Sequence, residues 1–153
     1  MTGSEPNSAA GAEPPPAGVE LRFPPAAEYV RTARLVAVAV ARRAGLIERL
    51  EELRLAVGEA CARAVRRCEA ADCDDPVTMF VDDTGPGLVI EVTDRAKAEP
   101  GPEPVVLSLL EGLADHVEVR PHQGLSGAQV HLEWWPDQPA EGAAAPVPPT
   151  SAS

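Results

Sequence analysis

A chain of 153 residues with a formal net charge of −11 is repelled by nucleic acid and by anionic membrane, so neither is expected as a partner. Aromatic residues make up 3% of it, too few to build base-stacking platforms. The three cysteines, Cys61, Cys68 and Cys73, have no zinc-ligand spacing and read as reduced thiols of a cytoplasmic protein, the first two as small core residues.

Residues 1–18 are rich in Pro, Ala, Gly, Ser and Glu and begin without the apolar run of a signal peptide. Such a stretch cannot bury enough apolar surface to order itself, and residues 137–153 repeat its composition. One domain over residues 19–136 is therefore expected. No apolar run in it approaches the ~20 residues of a membrane span.

Residues 19–23 alternate Val19, Leu21 and Phe23 against Glu20 and Arg22, which predicts a short strand ended by Pro24 and Pro25. Residues 26–44 predict a helix with Tyr29, Ala33, Val36, Ala37, Val40 and Ala41 on one face, stopped at Gly45. Its charged residues are Arg31, Arg34, Arg42 and Arg43 against Glu28, an excess of cations on an acidic protein. They read either as a solvated face or as a docking face, with Arg31 and Arg34, for an acidic partner.

Residues 50–68 predict the organising helix, with Leu50, Leu53, Val57, Ala60, Cys61, Ala64, Val65 and Cys68 on the buried stripe. Gly58 inside it costs about 1 kcal/mol against Ala. Glu51, Glu52, Arg54, Glu59, Arg63 and Arg67 form the polar face. Glu59 and Arg63 stand one turn apart, where a surface salt bridge contributes well under ~1 kcal/mol.

Strands are predicted at 77–81 and 88–93, joined by turn chemistry at 82–87. A polar loop follows at 95–104, then a short helix at 105–114 with Leu107, Leu110 and Leu113 buried. Strands at 117–120 and 128–135 complete the domain. In the last one Trp134 faces inward and Trp135 outward, as an interface anchor or as a ring covered by the C-terminal tail. His116, His122 and His131 share no metal spacing and read as surface residues. The order strand, helix, helix, strand, strand, helix, strand, strand predicts an α+β two-layer sandwich: a mostly antiparallel sheet with helices on one face.

LEELRLAVGEAC and GEACARAV on the second helix, VTDRAKA at a strand end, and LEGLADHVEVR before a glycine-rich turn and a last strand carry a family likeness. Over about residues 19–135 the chain resembles the anti-sigma-factor serine kinases of the histidine-kinase-like (GHKL) ATPase superfamily. The resemblance implies a Bergerat-type ATPase fold, ATP and Mg²⁺ as cofactors, and a homodimer. It also implies a sigma factor and a STAS-domain anti-anti-sigma factor as partners. In the family, a Glu on the second helix activates the substrate hydroxyl, and Glu59 stands there. An Asn four residues on holds the magnesium, but here the residue is Arg63, which has no acceptor. The family's adenine-reading Asp corresponds to Asp94, while Ala96 and Ala98 replace two glycines that let the backbone approach the nucleotide. Pro104 and Val106 fall at two glycines of the phosphate-wrapping loop.

Changes in all three boxes on a retained scaffold predict a partner-binding regulator whose Mg-ATP chemistry is lost or weakened. The alternatives are a working serine kinase, with Glu59 as base, Asp94 as adenine reader and Arg63 as phosphate clamp, and a protein-binding adaptor unconnected with sigma factors.

Overall fold

The computed structural model describes residues 18–97, 103–122 and 126–136, and the two expected disordered tails, Gly18 apart, lie outside them. Three helices, α1 (Val30–Arg43), α2 (Leu50–Ala70) and α3 (Pro104–Glu111), accompany five strands. The strands are β1 (Val19–Phe23), β2 (Val77–Asp82), β3 (Leu88–Asp94), β4 (His116–Pro121) and β5 (Ala128–Trp134). They form one sheet in the order β1-β2-β3-β5-β4, with every pair antiparallel. The α+β two-layer sandwich is what the sequence pattern predicts.

One face of the sheet is covered. Val77, Met79, Val81, Leu88, Ile90, Val92, Val130, Leu132 and Trp134 are buried and meet the apolar stripes of α1 and α2 in a single core. Their alternating neighbours Thr78, Phe80, Glu91, Thr93, His131 and Glu133 stay partly exposed on the other face. The period of two that sorts these residues follows directly from strand geometry.

Several boundaries differ from those expected. α1 begins at Val30, because the proline pair turns the chain first: the Ala26 N–H donates to the Pro24 carbonyl at 2.7 Å and a 3₁₀ turn occupies Ala27–Tyr29. At its end the Leu46 N–H reaches the Ala41 carbonyl and Gly45 takes a φ of +87°, the left-handed residue of a Schellman motif. α2 runs two residues past Cys68 and ends the same way, with Asp72 at φ 56° and the Cys73 N–H on the Cys68 carbonyl. In α3, Pro104 occupies the first turn and Leu107 is exposed. Leu110 is buried and Leu113 packs against the core as expected, while Val106 takes the inward place expected of Leu107.

His131 is not the plain surface residue expected. Its side chain is 13% exposed, with Nδ1 2.8 Å from Glu91 Oε2 and Nε2 2.7 Å from Glu133 Oε2. The Trp135 Nε1–H donates to Glu133 Oε1 at 2.9 Å. That bond first, and His131 second, hold the Glu133 carboxyl below the usual glutamate range. A lowered carboxyl stabilises the fold above the ordinary glutamate value and loses that contribution as pH falls through its folded value. Trp135→Phe removes the donor and keeps the ring, so the thermal midpoint of the variant should fall less than that of the wild type on acidification through the carboxylate range.

Gly127 takes a φ of +117°, and a Cβ there would lie 1.8 Å from the Asp94 carbonyl oxygen. The close approach sets β5 against the end of β3, where Ala128 is paired with Asp94. Gly127→Ala should cost about 2–3 kcal/mol in urea unfolding through this strain.

Candidate functional site

Glu59, Arg63 and Arg67 stand at successive turns of α2. The structure does not make the expected Glu59–Arg63 salt bridge. Arg63 is 4% exposed, and its Nε donates to Glu103 Oε2 at 2.6 Å, immediately ahead of α3. Glu59 instead accepts from Arg66 Nη2 at 3.3 Å. The Arg67 Nε donates to Asp94 Oδ2 at 2.9 Å, and Asp94 Oδ1 accepts from the Ala96 N–H at 3.0 Å. Two cation–carboxylate pairs one helical turn apart thus tie α2 to the end of β3 and to the start of α3.

Arg63 and Arg67 do not lie on the solvated polar face assigned to them. The signal that finds them is spacing. Ala56, Ala60, Arg63 and Arg67 follow intervals of four, three and four, and Ala60, Ala64 and Arg67 follow four and three. Both arginines therefore fall on the buried stripe, where a guanidinium needs a carboxylate. Glu103 and Arg67 are the site residues that the sequence reading missed.

The surroundings of Asp94 are apolar. Ala96 is buried beside it, and burial, with Cys73 and Asp94 adding to it, pushes the Cys68 thiol up to about 12. Asp94 is 1% exposed, with both oxygens already accepting hydrogen bonds. Any further donor would have to share the carboxylate with the Arg67 guanidinium and the Ala96 N–H. Ala98 lies outside the described residues.

A magnesium ion does not fit this set. A cation beside Arg63 would meet a buried positive charge, and the two nearby carboxylates, Glu103 and Asp94, are engaged by arginines. Among the described residues no group of three His, Cys, Asp or Glu side chains is arranged to hold a metal.

The expected partner-binding residues separate. The Arg34 side chain lies over Gly58, where a Cβ would stand 2.9 Å from its Nη1, so the arginine crosses α2 at the residue that has no side chain. Arg34 and Glu59 share an open groove of about 390 Å³ with Ala27, Val30, Leu55 and Ala62. Arg31 is exposed on the same helix. Trp135 is 50% exposed and lines a different cavity of about 330 Å³, with Ile47, Gly85 and Pro86.

Comparison with known proteins gives a consistent picture. The model of the histidine kinase-like ATPase domain matches residues 23–134. The serine-protein kinase RsbW of Oceanobacillus iheyensis is 30% identical over 131 residues, covering 70% of this chain and 81% of that protein. The proteins of the same name from Bacillus subtilis and Bacillus pumilus are 28% and 29% identical, each covering 72% of this chain and 82% of the relative.

Proposed function

Because this chain belongs to the histidine kinase-like ATPase domain family, and within it to the RsbW-like serine-protein kinases, we propose that it is an anti-sigma-factor-type regulator. It binds a sigma factor, a STAS-domain anti-anti-sigma factor, or each in turn, as a cytoplasmic homodimer, and its Mg-ATP kinase chemistry is lost or weakened. The observation that carries this reading is the pair of contacts Arg63–Glu103, partly buried, and Arg67–Asp94, buried, on a scaffold that matches the family from residue 23 to residue 134. A cation stands at the family's metal-holding position and the carboxylate at the family's adenine-reading position is paired with Arg67, while the fold that presents α1 is whole. A regulator of this kind works by mass action, holding one partner until another competes for it.

Arg31 and Arg34 on α1 supply the cationic contacts to an acidic partner, and Trp135 supplies an aromatic anchor for self-association or for a partner. Co-purification of the tagged full chain with purified sigma and STAS-domain proteins tests the reading. A stable complex with one of them in the absence of ATP is expected. Recovery of neither overturns it in favour of an adaptor unconnected with sigma factors.

A second reading, an active serine-protein kinase, is favoured by one observation. Glu59 is only partly buried and lines an open groove, so a substrate hydroxyl has access to the carboxylate at the family's base position. Incubating the chain with a STAS-domain partner and γ-labelled ATP separates the two. No phosphoserine is expected, and its appearance would establish the kinase.

A further inference from the structure

Cys68 and Cys73 bracket the C-terminal end of α2. Cys68 lies in its last turn, and Cys73 follows the left-handed residue Asp72. The Cys73 N–H donates to the Cys68 carbonyl at 2.8 Å and the Asp72 N–H to the Glu69 carbonyl at 3.2 Å, the two bonds of a Schellman motif. Side chains at the two outer positions of that motif commonly meet. In this chain both are thiols, and they are hydrogen-bonded to one another. By standard bond lengths the backbone bond keeps the two Cα atoms within about 6 Å, inside the roughly 4.4–6.8 Å that a disulfide spans. Cys61 cannot compete, since it stands two turns before Cys68 on the same helix, about 10 Å away.

The two thiols differ in access. Cys68 is fully buried, whereas Cys73 is only partly covered, and its Sγ–H donates to the exposed Asp75 Oδ2 at 3.9 Å. On the inner side the Cys68 sulfur accepts from the Arg95 N–H. Arg95 directly follows Asp94, whose carboxylate holds Arg67. A line of contacts therefore runs from solvent, through two sulfurs, to the end of β3.

We propose that Cys73 and Cys68 are a peroxide-sensing dithiol, with Cys73 the reacting thiol and Cys68 the resolving one, and that their disulfide loosens the end of β3. The Cys73 sulfur attacks one oxygen of hydrogen peroxide. The O–O bond breaks, one water leaves, and Cys73 becomes a sulfenic acid. The Cys68 sulfur then attacks the Cys73 sulfur. The S–S bond forms, and the Cys68 proton departs with the sulfenic hydroxyl as a second water. Two thiols are oxidised to one disulfide, and one peroxide is reduced to two waters. Burial keeps Cys68 from outside reagents but not from Cys73, which already touches it. Forming the covalent bond draws the Cys68 sulfur towards Cys73 and weakens the bond that the Arg95 N–H makes to it. The pair reports oxidation whichever partner the chain binds, so its test leaves the partner experiment untouched.

The experiment treats the reduced full chain with a slight excess of hydrogen peroxide, then unfolds it, alkylates it with iodoacetamide and digests it with trypsin. Cleavage after Arg67 and Arg95 leaves Cys68 and Cys73 together in one peptide and Cys61 in another. The peptide of residues 68–95 should be lighter by two hydrogens and carry no alkyl group, while Cys61 is alkylated. Dithiothreitol should restore both thiols. In Cys73→Ser, which changes a partly exposed side chain, Cys68 should stay a thiol after the same treatment. Amide hydrogen exchange at Arg95 should quicken by about tenfold in the oxidised chain and stay unchanged in treated Cys73→Ser. Cys73 stopping at a sulfinic acid with Cys68 still a thiol, a disulfide joining two chains, or unaltered exchange at Arg95 in the oxidised chain would overturn the proposal.

Discussion

Replacing Arg67 by methionine is expected to lower the unfolding free energy by about 3–5 kcal/mol, because it strands a buried carboxylate. Asp94 is 1% exposed and, among the described residues, would keep the Ala96 N–H alone as a donor. Methionine fills much of the volume of the arginine stem, so the loss reports charge rather than a cavity. A second substitution, Asp94→Asn, removes the stranded charge and can still accept from the Ala96 N–H. The double variant should recover the larger part of the loss in urea unfolding. A midpoint unchanged in Arg67→Met would mean that water reaches Asp94 freely, and the account of Asp94 as a buried, paired carboxylate would fail with it.

Trp134→Ala should cost a similar amount, about 3–5 kcal/mol. The ring is fully buried, and its Nε1–H donates to the Leu113 carbonyl at 3.0 Å just beyond α3. The residue thus joins the last strand to the third helix as well as filling the core. Trp134→Phe keeps most of the apolar area and loses the donor, leaving the Leu113 carbonyl unpaired, at a cost of about 1–3 kcal/mol. Thermal and urea unfolding of both variants checks the order. Equal losses for Phe and Ala would assign the whole effect to the hydrogen bond.

The fold was legible because each strand pattern is local. Alternation at Val77, Met79 and Val81, and again at Val130, Leu132 and Trp134, fixes which face each strand buries without knowledge of its neighbours. The family boxes on α2 and at the end of β3 likewise stood in single stretches of sequence. The site itself was less legible, because its two ion pairs join residues 40 and 27 positions apart. Nothing local distinguishes Glu103 from any other acid in a polar loop. The assumption that charged side chains face solvent put Arg63 and Arg67 on the wrong side of a helix whose spacing already placed them inside. His131 was misread for the same reason, since its carboxylates come from β3 and from two residues further along β5.

The thiols of α2 give this chain a built-in gauge of its own opening. Cys61 and Cys68 are fully buried, and burial pushes both thiols up to about 12, with the Arg34 charge partly opposing the shift at Cys61. A thiol in that state is inert towards alkylating reagents until the helix parts from the sheet. Cys73, at the edge of the core, is only partly covered. Iodoacetamide should therefore mark Cys73 in the native protein at once. Cys61 and Cys68 should be modified only as fast as the core breathes, so a mass spectrum taken over time reads local stability without any added label.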